Sequence, residues 1–125
     1  MSSRGVRNHQ LGQWGEKLAA EYLRKKGYSL LNSRWRCRFG EIDLIVQNQE
    51  FLVFVEVKLR KNSSIASARE FVDFRKQEKV RTSAGLYLSW HPTSRQPRFD
   101  VMEVYAPQGI DTKMPKLIHI ENAFE

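Results

Sequence analysis

The chain carries one cysteine, Cys37, among 125 residues. A single thiol excludes an intramolecular disulfide and any cysteine-based zinc cluster. No apolar run approaches the roughly 20 residues needed to span a bilayer. The stretch Met1 to Gln10 lacks the apolar segment of a signal peptide, so a cytoplasmic location and no membrane partner are expected. The three histidines, His9, His91 and His119, lie far apart and show no metal-ligand spacing; surface or capping roles are expected for each. No serine sits in a nucleophile elbow. No Gly-rich phosphate loop is present, which argues against a nucleotide-driven enzyme. Cys37 has no histidine near it in sequence and falls in a strand pattern, so it reads as a buried thiol rather than a nucleophile. Internal repeats, low-complexity tracts and linkers are also missing.

What is present is an ordinary hydrophobic content for a globular protein and a strong positive excess, 21 Lys+Arg against 14 Asp+Glu, net +7. The length suits one domain over 1–125, with 1–7 expected to be flexible. The basic residues cluster: Arg34, Arg36, Arg38, Lys58, Arg60 and Lys61 in the middle of the chain, then Arg69, Arg75, Lys76, Lys79 and Arg81. Such clustering points to a polyanionic partner held by phosphate neutralisation. Trp35, between Arg34 and Arg36, could stack on a base or serve the core.

Hydrophobic periodicity divides the chain into helix, three strands, helix and strand. Leu11, Trp14, Leu18, Tyr22 and Leu23 recur at helical spacing from about Asn8, a candidate N-cap, to Lys26, with Gly27 as the stop. Tyr28 to Cys37 reads as the first strand, Glu41 to Gln47 as the second and Phe51 to Leu59 as the third. Asn48-Gln49 makes the last two a hairpin. The third strand is apolar on both faces until Glu56, which marks a central strand covered from both sides. Arg60 to Ser67 is polar and aperiodic and reads as a mobile loop beside any active site. A second helix is expected from Ala68 to about Ser89, a fourth strand from Arg98 to Ala106, and a short edge strand at Leu117 to Ile120.

Asp43, Glu56 and Lys58 interrupt otherwise apolar strands, where charge is expensive. Alternation puts Glu56 and Lys58 on one face of their strand and Glu41 with Asp43 on one face of the next. If the hairpin register aligns those faces, two carboxylates and the Val57 carbonyl could hold a hard cation such as Mg²⁺. Lys58 would then hold an attacking water or neutralise developing charge on a phosphate. The competing reading is a structural ion pair of Asp43 or Glu56 with Lys58. Glu16, between the apolar positions of the first helix, reads on its own as a solvated carboxylate.

The runs Gly40-Glu41-Ile42-Asp43-Leu44-Ile45 and Val53-Phe54-Val55-Glu56-Val57-Lys58 resemble the YraN-like family of small bacterial proteins. Gly15-Glu16, Ala19, Tyr22-Leu23, Lys76 and Arg98-Phe99-Asp100-Val101 fit the same resemblance, which covers nearly the whole chain. It implies membership of the PD-(D/E)XK nuclease superfamily, with similarity to archaeal Holliday junction resolvases. The implied fold is α/β, a restriction-endonuclease-like αβββαβ core with a mixed central sheet flanked by helices. The implied activity is Mg²⁺- or Mn²⁺-dependent hydrolysis of phosphodiesters in DNA, including branched or structured DNA. Asp43 and Glu56 match the metal acids, Lys58 the catalytic lysine and Glu16 the first-helix acid that completes the metal site; Glu41 is a weaker, supporting match. Arg36, Arg38, Arg60, Lys61, Lys76 and Lys79 would then meet the nucleic acid. The chain departs from the family where a Phe-Gly-containing loop is replaced by Ser63-Ser64-Ile65-Ala66-Ser67. The alternative is a binding module that keeps the fold and basic surface without catalysis. Cutting two strands of a junction would call for a homodimer, for which Trp90, Phe99 or Leu117 to Ile120 could supply contacts.

Overall fold

A computed structural model describes the backbone of residues 3–61 and 73–125, and side chains from His9 onward in the first of these stretches. The elements are α1 (Ser3–Lys25), β1 (Ser29–Cys37), β2 (Gly40–Gln47), β3 (Phe51–Arg60), α2 (Phe74–Trp90), β4 (Gln96–Tyr105) and β5 (Lys116–Phe124), with a 3₁₀ turn at Gly109–Asp111. The five strands form one sheet in the order β1-β2-β3-β4-β5. β3 and β4 run parallel while the other pairs are antiparallel. This mixed sheet flanked by helices has the expected αβββαβ order, extended by β5, and is restriction-endonuclease-like.

The two helices cover opposite faces. Ala19, Ala20 and Leu23 of α1 pack on Leu44, Val46, Val53, Val55, Met102 and Val104. Ala84 and Tyr87 of α2 pack on Ile42, Ile45, Leu52 and Phe54. The strict alternation along β3 sends Val53 and Val55 one way and Leu52 and Phe54 the other, as its unbroken apolar run implies. Each such fully buried side chain contributes about 1.5–3 kcal/mol. Gly15 lets α1 descend onto β3: a Cβ there would lie 2.9 Å from Leu59 Cδ2. That close approach brings the next residue, Glu16, against the sheet. Gly27, at φ 100°, ends α1, with the Tyr28 N–H donating to the Leu23 carbonyl at 3.0 Å as in a Schellman stop.

Several expectations are corrected. α1 begins at Ser3, five residues ahead of Asn8; an interior Asn costs a helix only a few tenths of a kcal/mol, so it need not start one. α2 begins at Phe74, because Asp73 caps it by accepting from the Lys76 N–H at 2.8 Å. The expected start at Ala68, with Phe71 and Val72, lies outside the described residues, as does the Ser63–Ser67 loop. The β2–β3 turn is one residue longer than expected, since Asn48 Oδ1 accepts from both Glu50 N and Phe51 N. β5 runs on to Phe124, past the polar Glu121-Asn122 that ended its apolar pattern, because the pairing Phe99↔Phe124 continues across an irregularity. Phe99, half-buried, stacks between Phe54 and Phe124. Trp35 packs edge-on against Tyr87 and Trp90, half-buried on the α2 face.

Candidate active site

The β2–β3 ladder runs from Gln47↔Leu52 to Leu44↔Val55 and stops. The next residues, Asp43 and Glu56, therefore face a gap in the sheet, and their carboxylates take over the hydrogen bonds the ladder would have made. Asp43 Oδ2 accepts from the Val57 N–H at 2.8 Å, and Glu56 Oε2 accepts from the Asp43 N–H at 3.4 Å. In an extended strand the N–H and C=O of one residue project toward the same neighbour. The Val57 carbonyl thus faces the gap too.

The expected alternation fails at this point. Ile42 packs toward α2 but Leu44 toward α1, so β2 changes parity at Asp43, and Glu41 and Asp43 do not form one face. Opposite Asp43, Arg34 of β1 has φ 52° and leaves the ladder between the pairs Ser33↔Leu44 and Trp35↔Ile42. Glu41 instead meets the exposed Arg36 at 3.6 Å.

Glu56 is 1 % exposed. Its Oε1 meets Lys76 Nζ, reaching over from the first turn of α2, at 3.1 Å. The competing expectation of an ion pair is thus half right in kind and wrong in partner. Lys58 makes no ion pair among the described residues; it is half-buried on the Glu56 face, and its charge is felt at Glu56 without contact. Burial and then the Glu56 charge push the Asp43 carboxyl up to about 7, against the pull of the Val57 N–H. Burial likewise raises Glu56, opposed by the charge and hydrogen bond of Lys76. Two acids crowded in a gap with few donors are under-compensated.

The structure does not bring Glu16 into this pair. Arg34 Nε donates to Glu16 Oε1 at 2.7 Å, although the Glu16 charge still acts on Asp43. Among the described residues no three His, Cys, Asp or Glu side chains form a ready metal cage. The Asp43 and Glu56 oxygens with the Val57 carbonyl nevertheless fit a hard cation that keeps several waters of its own. They could hold Mg²⁺ or Mn²⁺ without Glu16.

The expected phosphate contacts divide. Arg36, Arg38, Lys61 and Lys79 are exposed, and Lys79 lies beside Gly40 at the β1–β2 turn, next to Arg38. Arg60 is turned inward to Glu103, 3.4 Å away, and Lys76 is held by Glu56. Sequence reasoning missed two further buried acids on β4: Glu103, beside Arg60, and Asp100, which receives Arg98, His119 and the Asn122 N–H. His119 has a 1 % exposed side chain, so its expected surface role is corrected. The available signal was an Asp in an apolar strand, the same cue that marked Asp43. Cys37 is half-buried and donates to Ser83 Oγ at 3.4 Å, as suits a structural thiol.

Comparison with known proteins agrees with the motif resemblance. Residues 15–104 match the model of the family described as "Uncharacterised protein family UPF0102". A UPF0102 protein of Caldanaerobacter subterraneus is 44 % identical over 121 residues, 95 % of this chain and 98 % of its own. One from Frankia casuarinae is 44 % identical over 115 residues, covering 91 % and 95 %. One from Clostridium botulinum is 38 % identical over 120 residues, covering 94 % and 96 %. A gap in the sheet flanked by Asp43 and Glu56, and motifs running from Gly15 to Val101, are thus set in a chain that belongs to the UPF0102 family.

Proposed function

We propose that the protein is a divalent-metal-dependent phosphodiesterase of the PD-(D/E)XK type acting on nucleic acid, with structured DNA as the substrate. The observation that carries this reading is the Asp43–Glu56 pair in the ladder gap, short of donors, with Lys58 beside it in no ion pair among the described residues. A purely structural acid pair gains nothing from being left under-compensated. Mg²⁺ or Mn²⁺ held by Asp43, Glu56 and the Val57 carbonyl would activate water and offset charge on the phosphate. The chain's own residues do the rest. Asp43 is fixed by the Val57 N–H, so its free oxygen is aimed before any ligand arrives. Lys58, a compact ammonium on a half-buried stem, orients water or neutralises the phosphate. Arg36, Arg38, Lys61 and Lys79 supply a basic rim for the backbone of the nucleic acid. Cutting both strands of a junction would take two copies; the 64 % exposed Trp90 is available as a contact.

One observation favours the second reading, a non-catalytic nucleic-acid-binding module: Lys76 and Arg34 already neutralise Glu56 and Glu16. The two readings separate on a panel of single-stranded, duplex, flap and four-way-junction DNA and of RNA, incubated with Mn²⁺. Asp43→Ala and Glu56→Ala should each lower cleavage by at least about a hundredfold while binding in a gel-shift assay survives. Cleavage undiminished in both variants would remove the assigned site. Binding without cleavage in the wild type would favour the module.

A further inference from the structure

Lys76 is oddly placed for a surface lysine. It is the third residue of α2, whose first turn contains no acid, and a cation there opposes the helix dipole. Its backbone is pinned by the Asp73 cap, while its side chain, 40 % exposed, leans in to a carboxylate that is 1 % exposed. No other cation touches Asp43 or Glu56 among the described residues. The two acids sit on neighbouring strands β2 and β3 and each accepts a peptide N–H of the other strand. The lysine, on a flexible four-carbon stem, can leave by rotamer changes alone.

We infer that Lys76 is a place-holder cation, which neutralises the Asp43–Glu56 pair until a divalent ion displaces its ammonium from Glu56. The inference rests on the metal-binding reading of the pair and adds its control: the site keeps an internal competitor for the metal. A dication between two carboxylates already cancels their charge, and an ammonium on the same oxygen would then be repelled. Once released, Lys76 shares a helix face with Lys79, three residues on, and joins the basic rim. Lys76 is therefore a positioning residue in the metal-free protein and a phosphate contact in the loaded one.

Calorimetric titration with Mn²⁺ alone tests this, using the full chain. Lys76→Met should bind Mn²⁺ about tenfold more tightly than wild type, within the usual span of coupling between two ligands. Lys76→Arg should keep near wild-type affinity, and Arg75→Met, which removes a neighbouring exposed charge from the same helix turn, should change it little. Asp43→Asn should abolish binding in either background. Acylation of Lys76 by an amine-reactive reagent, read by peptide mass spectrometry, should also rise with Mn²⁺ relative to Lys25. Equal or weaker Mn²⁺ affinity in Lys76→Met, with binding that still depends on Asp43, would overturn the place-holder while leaving the metal site standing. No binding in wild type or Lys76→Met would overturn both.

Discussion

Two acidic sites on the same sheet have opposite surroundings. Asp100 on β4 is fully buried and surrounded by donors: Arg98 Nε at 2.9 Å and Nη2 at 2.8 Å, His119 Nε2 at 2.6 Å and the Asn122 N–H at 3.0 Å. Lys26 Nζ lies 2.9 Å from His119 Nδ1. An ammonium can only donate, so Nδ1 accepts and Nε2 carries the proton toward Asp100. Burial alone would raise the Asp100 carboxyl, but the bonds from His119 and Arg98 leave it below the ordinary carboxylate range. Asp43 and Glu56, in the β2–β3 gap, have one peptide N–H each, and the one ammonium that touches them among the described residues is on Glu56. The difference separates an acid that ties elements together from a pair left short of donors. Asp100 joins β4, β5 and, through Tyr28 and Lys26, the end of α1.

Removing charge from the two places should have opposite effects. Asp100→Ala strands the buried Arg98 guanidinium and should cost about 3–5 kcal/mol in urea unfolding, as for other broken buried pairs. That is a large share of a typical domain's total. A loss below about 1 kcal/mol would mean that water replaces the carboxylate and that the network is not structural.

Asp43→Asn should instead stabilise the chelator-treated protein at pH 8, by about 1–2 kcal/mol, because it removes an under-compensated charge and keeps an acceptor for the Val57 N–H. The sign follows from linkage. The Asp43 carboxyl titrates near 7 in the folded chain and near 4 when unfolded, so between these values the folded state holds the extra proton. Stability of the wild type should fall as pH rises from about 4 to about 7, and the gap to Asp43→Asn should widen over that interval. Asp100 contributes the reverse: its stabilisation is present above the unfolded carboxyl value and is lost as pH falls through the lower folded one. Thermal unfolding at pH 5 and pH 8 reads the Asp43 interval, and a series below about pH 4 reads that of Asp100; an equal Asp43→Asn gap at pH 5 and pH 8 would contradict the crowding of the acids.

The smallest effect belongs to the surface. Arg36 is 70 % exposed beside Glu41, and Arg36→Ala should change stability by less than about 1 kcal/mol. If it cost as much as Asp100→Ala, burial would not be what distinguishes these acids.

Much of this was legible in the residues. The apolar run of β3 announced a strand covered twice, Gly27 announced the end of α1, and charges inside apolar strands picked out Asp43 and Glu56. Other features were hidden for identifiable reasons. The parity change at Asp43 depends on Arg34 adopting φ 52° on a neighbouring strand, and arginine carries no signal for that conformation. Lys76 looked like a surface cation because its partner is 20 positions away and on another element. His119 looked isolated because Asp100 and Lys26 reach it only through pairing of β4 with β5 and the packing of α1.

By itself, then, the amino-acid order determined the element sequence, the two-faced core and the acids that could serve a metal, since these follow from local periodicity and the cost of burying charge. Tertiary structure alone decided which cation each acid meets. Arg34 took Glu16, Lys76 took Glu56, and Arg98 with His119 took Asp100. Partner choice among long, flexible basic side chains depends on distances across the sheet and its helices, and no spacing along the chain encodes those distances.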